Sequence, residues 1–163
     1  FVDEYTRTGT LPAGQQQTLN AETLRAALAQ AKPGDYIALQ AYAAPSPALT
    51  NALQALRGHI LSTQRVASTL GYGPRFLHST GQLHKGDGGH GVFIQFVTQP
   101  PADDLPIPDA AGKAASSLSF GVLKAAQALG DAAALRAAGR RVTSFAVTGD
   151  LAEQLNSISK DWA

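Results

Sequence analysis

The sequence predicts an α/β domain: a three-layer αβα sandwich whose mostly parallel sheet is covered by helices on both faces. Three observations lead there. Four short runs rich in β-branched and aromatic residues recur along the chain, at 36–42, 65–70, 92–97 and 141–147. Segments with helical periodicity stand between them, and alternation of this kind implies parallel strands joined by crossover helices. Most of those segments open on a capping residue and close at glycine or proline. At 163 residues the chain is long enough for one full α/β core.

The elements follow in order. Residues 1–17 are polar, glutamine-rich and without periodicity, and read as an N-terminal arm; the domain proper is 18–163. Asn20 caps a helix over about 21–32 that buries Leu24, Ala27, Leu28 and Ala31. Lys32-Pro33-Gly34-Asp35 stops it. Tyr36 to Tyr42 reads as a buried strand. Ser46 followed by Pro47 is an N-cap with a first-turn proline, and the helix it starts buries Leu49, Leu53, Leu56 and Ile60.

Arg65 to Leu70 is a second strand leading into a helix over 74–84, and Val92 to Val97 is the clearest strand. Gln99 to Ser117 carries four prolines and no periodicity, a long loop of the kind that is functional or interfacial. Ser119 caps a helix near 120–129 with Val122, Leu123, Ala126 and Leu129 inward. Gly130-Asp131 is expected to break and restart it, and Gly139 to end it. After a strand from Arg141 to Val147, Gly149-Asp150 turns into a last helix carrying Leu151, Leu155, Ile158 and Trp162.

Composition narrows the function. Thirteen Lys plus Arg against twelve Asp plus Glu give a formal charge of +1. With no basic run, the chain has no electrostatic footprint for nucleic acid. No apolar stretch approaches the ~20 residues that span a bilayer. The absence of cysteine rules out disulfides, thiolate metal sites and a cysteine nucleophile, and is compatible with the cytoplasm, the expected location. The sequence opens on Phe1 and lacks methionine, so a fragment of a longer polypeptide is expected.

The segment from Gly71 to Gly86, GYGPRFLHSTGQLHKG, carries the candidate chemistry. Arg75, His78, Gln82 and Lys85 follow at helical spacings, so a continuous helix would put them on one stripe. Phe76, Leu77, Thr80 and Leu83 would then pack inward. A cation, an imidazole and an amide aimed together suit a polyhydroxylated, anionic ligand; a solvated face is the plainer alternative. Gly86-Asp-Gly-Gly-His-Gly91 matches G-x-G-x-x-G, but a helix precedes it and a strand follows, the reverse of a dinucleotide fingerprint. It reads as a flexible loop. His78, His84 and His90 stand six apart, which misses the spacing for a shared metal, so no metal and no cofactor are expected. His84 reads as a helix-end residue. On spacing alone Lys124, one turn before Gln127, reads as a surface lysine of an alanine-rich helix.

The run GYGPRFLHSTGQLHKG, with Phe120-Gly-Val-Leu-Lys-Ala-Ala-Gln-Ala-Leu-Gly-Asp131 downstream, resembles phosphoglucose isomerase. It looks most like the isomerase part of bacterial bifunctional transaldolase/glucose-6-phosphate isomerases. The similarity runs over most of the chain and is strongest through 69–86 and 120–131. That family pairs two sugar isomerase (SIS) domains of flavodoxin-like type, and this chain resembles the second. The resemblance implies that His78, with Gln82 four residues on, opens the sugar ring, and that Lys124 after Gly121-Val122 assists; Arg75, Gln82 and Lys85 would contact substrate. The family's usual pattern sets that lysine slightly later, where this chain has Ala126 and Gln127, and its acidic lead-in is replaced by Leu118 and Ser119. The general-base glutamate and the Ser/Thr phosphate loop belong to the family's first domain. Neither motif is here, and Glu22 and Glu153 fall in ordinary helices. The resemblance thus implies a sugar phosphate substrate, a missing N-terminal SIS domain, a homodimer in the full enzyme and an inactive fragment. A non-catalytic sugar-phosphate-binding regulatory module and a structural dimerisation domain are the alternatives.

Overall fold

A computed structural model describes residues 16–99, 104–113, 116 and 118–162. Five parallel strands form one sheet: β1 (Gln17–Thr18), β2 (Tyr36–Tyr42), β3 (Ala67–Tyr72), β4 (Gly91–Thr98) and β5 (Arg141–Val147), in the order β1-β5-β4-β2-β3. Helices α1 (Ala21–Leu28), α2 (Pro47–Gln64), α3 (Thr80–Gly86), α4 (Phe120–Ala137) and α5 (Leu151–Lys160) connect them, with a 3₁₀ turn at Arg75–His78. The α/β three-layer arrangement expected from the sequence, consistent with a flavodoxin-like domain, is what the chain adopts.

The caps explain the helix starts. Asn20 and Thr23 form a reciprocal capping box on α1, Ser46 Oγ accepts from Leu49 N–H at the head of α2, and Asp150 accepts from Ala152 and Glu153 N–H at the head of α5. α1, α2 and α5 cover one sheet face, where Leu24, Leu53, Ile60 and Leu155 meet Ile37, Ile94 and Phe145. The 3₁₀ turn, α3 and α4 cover the other, where Phe76 and Ala128 pack on Tyr42 and Val97, and Leu135 on Ala38 and Phe93.

Several local expectations are corrected. Gln17 and Thr18 pair with Phe145 and Ala146 as an edge strand, so the end of the segment read as an arm belongs to the sheet; residues 1–15 lie outside the described residues. The helix expected over 74–84 is interrupted at Ser79, whose φ of −139° and ψ of −100° are not helical. The interruption resets the helical phase, so Gly81 and His84 turn inward while Leu83 is 71% exposed. α4 passes through Gly130-Asp131 without a break, because Ala125, Ala128, Ala132 and Leu135 keep one continuous buried face there. Leu123, expected inward, is exposed. Within the proline-rich segment, Pro106 bridges Ser119 antiparallel, and Asp109 closes a tight turn by accepting from Ala111 and Lys113 N–H.

The 86–91 loop is tied down at the amino ends of β2 and β4. Asp87 accepts from Tyr36 Oη (2.8 Å) and from Gly89 and Gly91 N–H (3.0 Å each), and Arg140 Nε lies 2.9 Å from its Oδ1. Arg141 bridges Asp35 (2.7 Å) to the carbonyls of Gln30 and Gly89. The Arg141 guanidinium, then the Lys32 N–H, hold the Asp35 carboxyl far below the usual carboxylate range. The loop read as flexible from the sequence carries its own clasp in Asp87.

Two glycine substitutions separate close packing from free space. A Cβ at Gly91 would sit 2.4 Å from Cζ of the fully buried Phe93 and 2.9 Å from Asp87 Oδ2. Gly91→Ala is expected to cost about 1–3 kcal/mol. Nothing lies within 4 Å of a Cβ at Gly130, and Gly130→Ala in mid-helix is expected to stabilise by about 0.5–1 kcal/mol. Urea unfolding of both variants checks the opposite signs.

Candidate functional site

Beneath α3 and α4, the middle of the sheet is polar where a parallel sheet is ordinarily apolar. Gln40, Gln95 and Ser144 face one another across β2, β4 and β5 in direct register. Ser144 Oγ donates to Gln95 Oε1 (2.8 Å), and Gln95 Nε2 donates to Gln40 Oε1 (2.9 Å) and to Asp131 Oδ2 (3.3 Å). Tyr42 Oη also donates to Asp131 Oδ2 (3.3 Å), and burial followed by this neighbouring carboxylate raises the phenol's pKa far above its ordinary value. The side chain of Asp131 is 1% exposed, and its other oxygen faces the Lys85 ammonium at 3.1 Å. A buried carboxylate needs such a partner.

His84 joins this network. Gln40 Nε2 lies 3.3 Å from His84 Nδ1; an amide nitrogen only donates, so Nδ1 accepts and the ring is neutral. The ring packs among Tyr36, Phe76 and Phe93. Desolvation lowers its pKa, opposed by Asp131 and Asp87 and aided by Lys85. His84 lies in the last turn of α3, as expected from the sequence, but its ring turns inward to Gln40 instead of to the final carbonyls, because the reset phase of α3 carries it to the core.

The four residues of the expected stripe therefore part company. Arg75, His78 and Gln82 are at least partly exposed just past the carboxyl end of β3. Arg75 and His78 make no side-chain hydrogen bond or ion pair with the described residues, and Gln82 Nε2 donates to the Leu77 carbonyl (3.3 Å). Lys85, the fourth, is spent on Asp131, which pins α3 to α4.

Lys124 lies elsewhere on the same rim. The surface reading drawn from its spacing is corrected: the ammonium is half-buried and donates to Thr98 O and Oγ1, 2.9 Å each. Burial lowers its pKa, partly opposed by Asp104. Asp104 docks on the head of α4, accepting from Gly121 N–H (3.0 Å) and from Ser119 Oγ. An acidic group thus reaches this helix from 15 residues upstream of Ser119. Lys124 also lines a cleft of about 500 Å³ with Ala43, Ser46, Thr98, Thr148 and Asp150. This cleft stands at the carboxyl ends of β2 and β4, where the strand order reverses, the usual ligand position in such sheets. Arg75, His78 and Gln82 do not line it. Among the described residues no three metal-ligating side chains converge.

The fold recurs in a solved structure. Hypothetical protein TT0462 from Thermus thermophilus superposes with a TM-score of 0.52 at 20% identity, over 78% of this chain. The chain covers 32% of that protein, about a third of its length. The likeness is one of fold. No family model and no curated protein matches the chain. Among the described residues no helix is long and apolar enough to cross a membrane.

Sequence reasoning missed Asp131 as a core residue and His84 as its neighbour. The signal for Asp131 was present: it falls in phase with Ala128, Ala132 and Leu135 on the buried face of α4.

Lys85→Met strands the Asp131 carboxylate. With Lys85 partly solvated, the expected loss is about 2 kcal/mol, or roughly 4–8 °C in Tm for a chain of this size. His84 supplies an acid sensitivity. Its folded pKa lies below the ordinary 6.5, so the unfolded chain binds the extra proton and stability falls as pH drops below that value. Melting from pH 7 to pH 5 should show this loss, and His84→Gln should flatten it.

Proposed function

We propose that this chain is the C-terminal sugar isomerase domain of a glucose-6-phosphate isomerase, acting on the aldose–ketose pair glucose 6-phosphate and fructose 6-phosphate. The observation that carries the reading is His78: a solvent-accessible imidazole without a hydrogen-bond or ion-pair partner among the described residues, on the same short turn as Arg75, at the carboxyl rim of a parallel sheet. It stands in the run that resembles the isomerase family. An imidazole can protonate the ring oxygen and take the anomeric proton, which breaks the ring C–O bond and leaves an open-chain carbonyl.

The next step moves a proton between C1 and C2 through an enediol and calls for a carboxylate base. In this reading the base and the phosphate grip come from an N-terminal SIS domain, which would cover the Arg75–His78–Gln82 surface. Lys124 is the proposed helper cation for developing oxyanion charge, and Lys85 acts by holding α3 rather than by touching substrate. The reading includes a homodimer, a cytoplasmic location and a fusion to transaldolase; the proton transfer itself requires no cofactor. The Lys124 cleft, which lacks His78, favours a second reading as a non-catalytic sugar-phosphate-binding regulatory module.

Isomerisation assays separate these readings. The 163-residue chain alone should not convert fructose 6-phosphate, whereas a polypeptide that adds a glutamate-bearing SIS domain should. In that polypeptide His78→Ala should lower turnover of cyclic substrate by about 10²-fold or more, with a much smaller loss on open-chain substrate. Turnover by the chain alone, or equal losses on both substrates, contradicts the isomerase reading.

A further inference from the structure

The sheet ends in an open edge at β3. The strand order leaves β3 with one neighbour, β2, and β3 has six residues where β1, the opposite edge, has two. Gly73 N–H, one step past β3, donates to Ala41 O. Backbone groups alternate sides along a strand, so those of Thr69 and Gly71 point to β2 while those of Ser68, Leu70 and Tyr72 point outward. Ser68 O accepts from Arg57 Nη2 (2.8 Å). Among the described residues nothing reaches the backbone of Leu70 or Tyr72 from the open side. Sheet edges are usually blunted by lysine, proline or a bulge. The strand Ala-Ser-Thr-Leu-Gly-Tyr has no lysine or proline, and its register with β2 runs without a bulge.

The surroundings say what fits this edge. A groove of about 500 Å³ lies beside the start of β3, lined by Arg57, Gly58, Leu61, Val66 and Ala67. Leu61 is 62% exposed, and a Cβ at Gly58 would meet nothing within 4 Å, so the groove has room for an apolar side chain. Between Asp35 and Asp87 the sequence has no Asp or Glu, but it has Arg57, Arg65, Arg75 and Lys85. Lys85 is taken by Asp131. The three arginines form no ion pair among the described residues. Arg57 and Arg65 stand at the amino end of β3, and Arg75 follows its carboxyl end. Cations at both ends disfavour a second copy of the same edge and favour a negatively charged strand. A row of backbone donors and acceptors selects an extended segment over a compact anion.

We infer that β3 is a docking edge for an acidic, extended peptide segment of a partner protein, which adds to the sheet as a sixth strand. The backbone of Leu70 and Tyr72 supplies the pairing, Leu61 seats an alternate apolar side chain, and the arginines select the charge. The inference does not depend on the isomerase reading.

The test titrates the 163-residue chain into a short fluorescein-labelled peptide of alternating glutamate and valine, read by fluorescence polarisation at low salt. Saturable binding is expected with a Kd of about 10 μM, the affinity of a modest interface. Leu61→Glu should weaken it about tenfold, by losing an apolar contact and adding like charge. Arg65→Asn, which suits the left-handed φ of 57° there, should weaken it about threefold. Amide exchange followed by NMR should slow at Leu70 and Tyr72 on binding, and stay unchanged at Thr69 and Gly71, which already face β2. His78→Ala should leave the affinity as it is, so this result and the isomerase reading fail separately. Absence of saturation, equal affinity for a lysine–valine peptide, or undiminished binding of a peptide N-methylated at alternate amides would overturn the inference. So would full affinity in both Leu61→Glu and Arg65→Asn, or slowed exchange centred outside β3. Slowing at Leu70 and Tyr72 with rising concentration of the chain alone would assign the edge to a second copy and equally overturn it.

Discussion

One buried charge organises the half of the molecule that bears the candidate residues. Asp131 sits on α4 with its side chain shut away from water, and three separate elements answer it: Lys85 from α3, Tyr42 from β2 and Gln95 from β4. Removing any one leaves a costly group in a low-dielectric interior. The arrangement acts as a directional lock, since apolar packing alone would let α3 slide or rotate over the sheet. α3 especially needs such a lock, being only 7 residues long and following the break at Ser79. Isolated helices that short are not stable in water.

From this lock the placement of the rim follows. α3 is fixed through Lys85 and through His84, whose neutral ring accepts from Gln40. The preceding 3₁₀ turn is fixed through Phe76, which packs on Tyr42 with ring centroids 5.5 Å apart. His78 and Arg75 stand on that turn and face outward. Lys124 stands on α4, two turns before Asp131, at the mouth of the switch-point cleft. The two groups of polar residues share a rigid frame but open onto different places, which is why the isomerase proposal assigns the His78 side to a surface completed by another domain.

Much of the fold was legible in the sequence because its signals were local. Asn20, Ser46, Ser119 and Asp150 mark helix starts as capping side chains do, and the runs at 36–42, 92–97 and 141–147 form the central strands. What stayed hidden was set by long-range contacts. The two-residue strand at Gln17 has no pattern of its own and exists through pairing with β5. Gly130 and Asp131 look like punctuation until the tertiary contacts of Asp131 turn them into the interior of a helix. The stripe from Arg75 to Lys85 assumed one uninterrupted helix; the break at Ser79 altered the phase, exchanging Leu83 for His84 at the core and giving Lys85 a structural partner. Lys124 was hard to read because its partner, Thr98, is 26 residues away.

The account stands or falls on whether Asp131 holds the 75–86 segment in place. Hydrogen–deuterium exchange of the Asp131→Asn variant, compared with the unaltered chain by mass spectrometry, measures this directly. Faster exchange concentrated in 75–86, with β2, β4 and β5 still protected, is the predicted outcome. Unchanged protection across 75–86, or a uniform rise over the whole sheet, would contradict it.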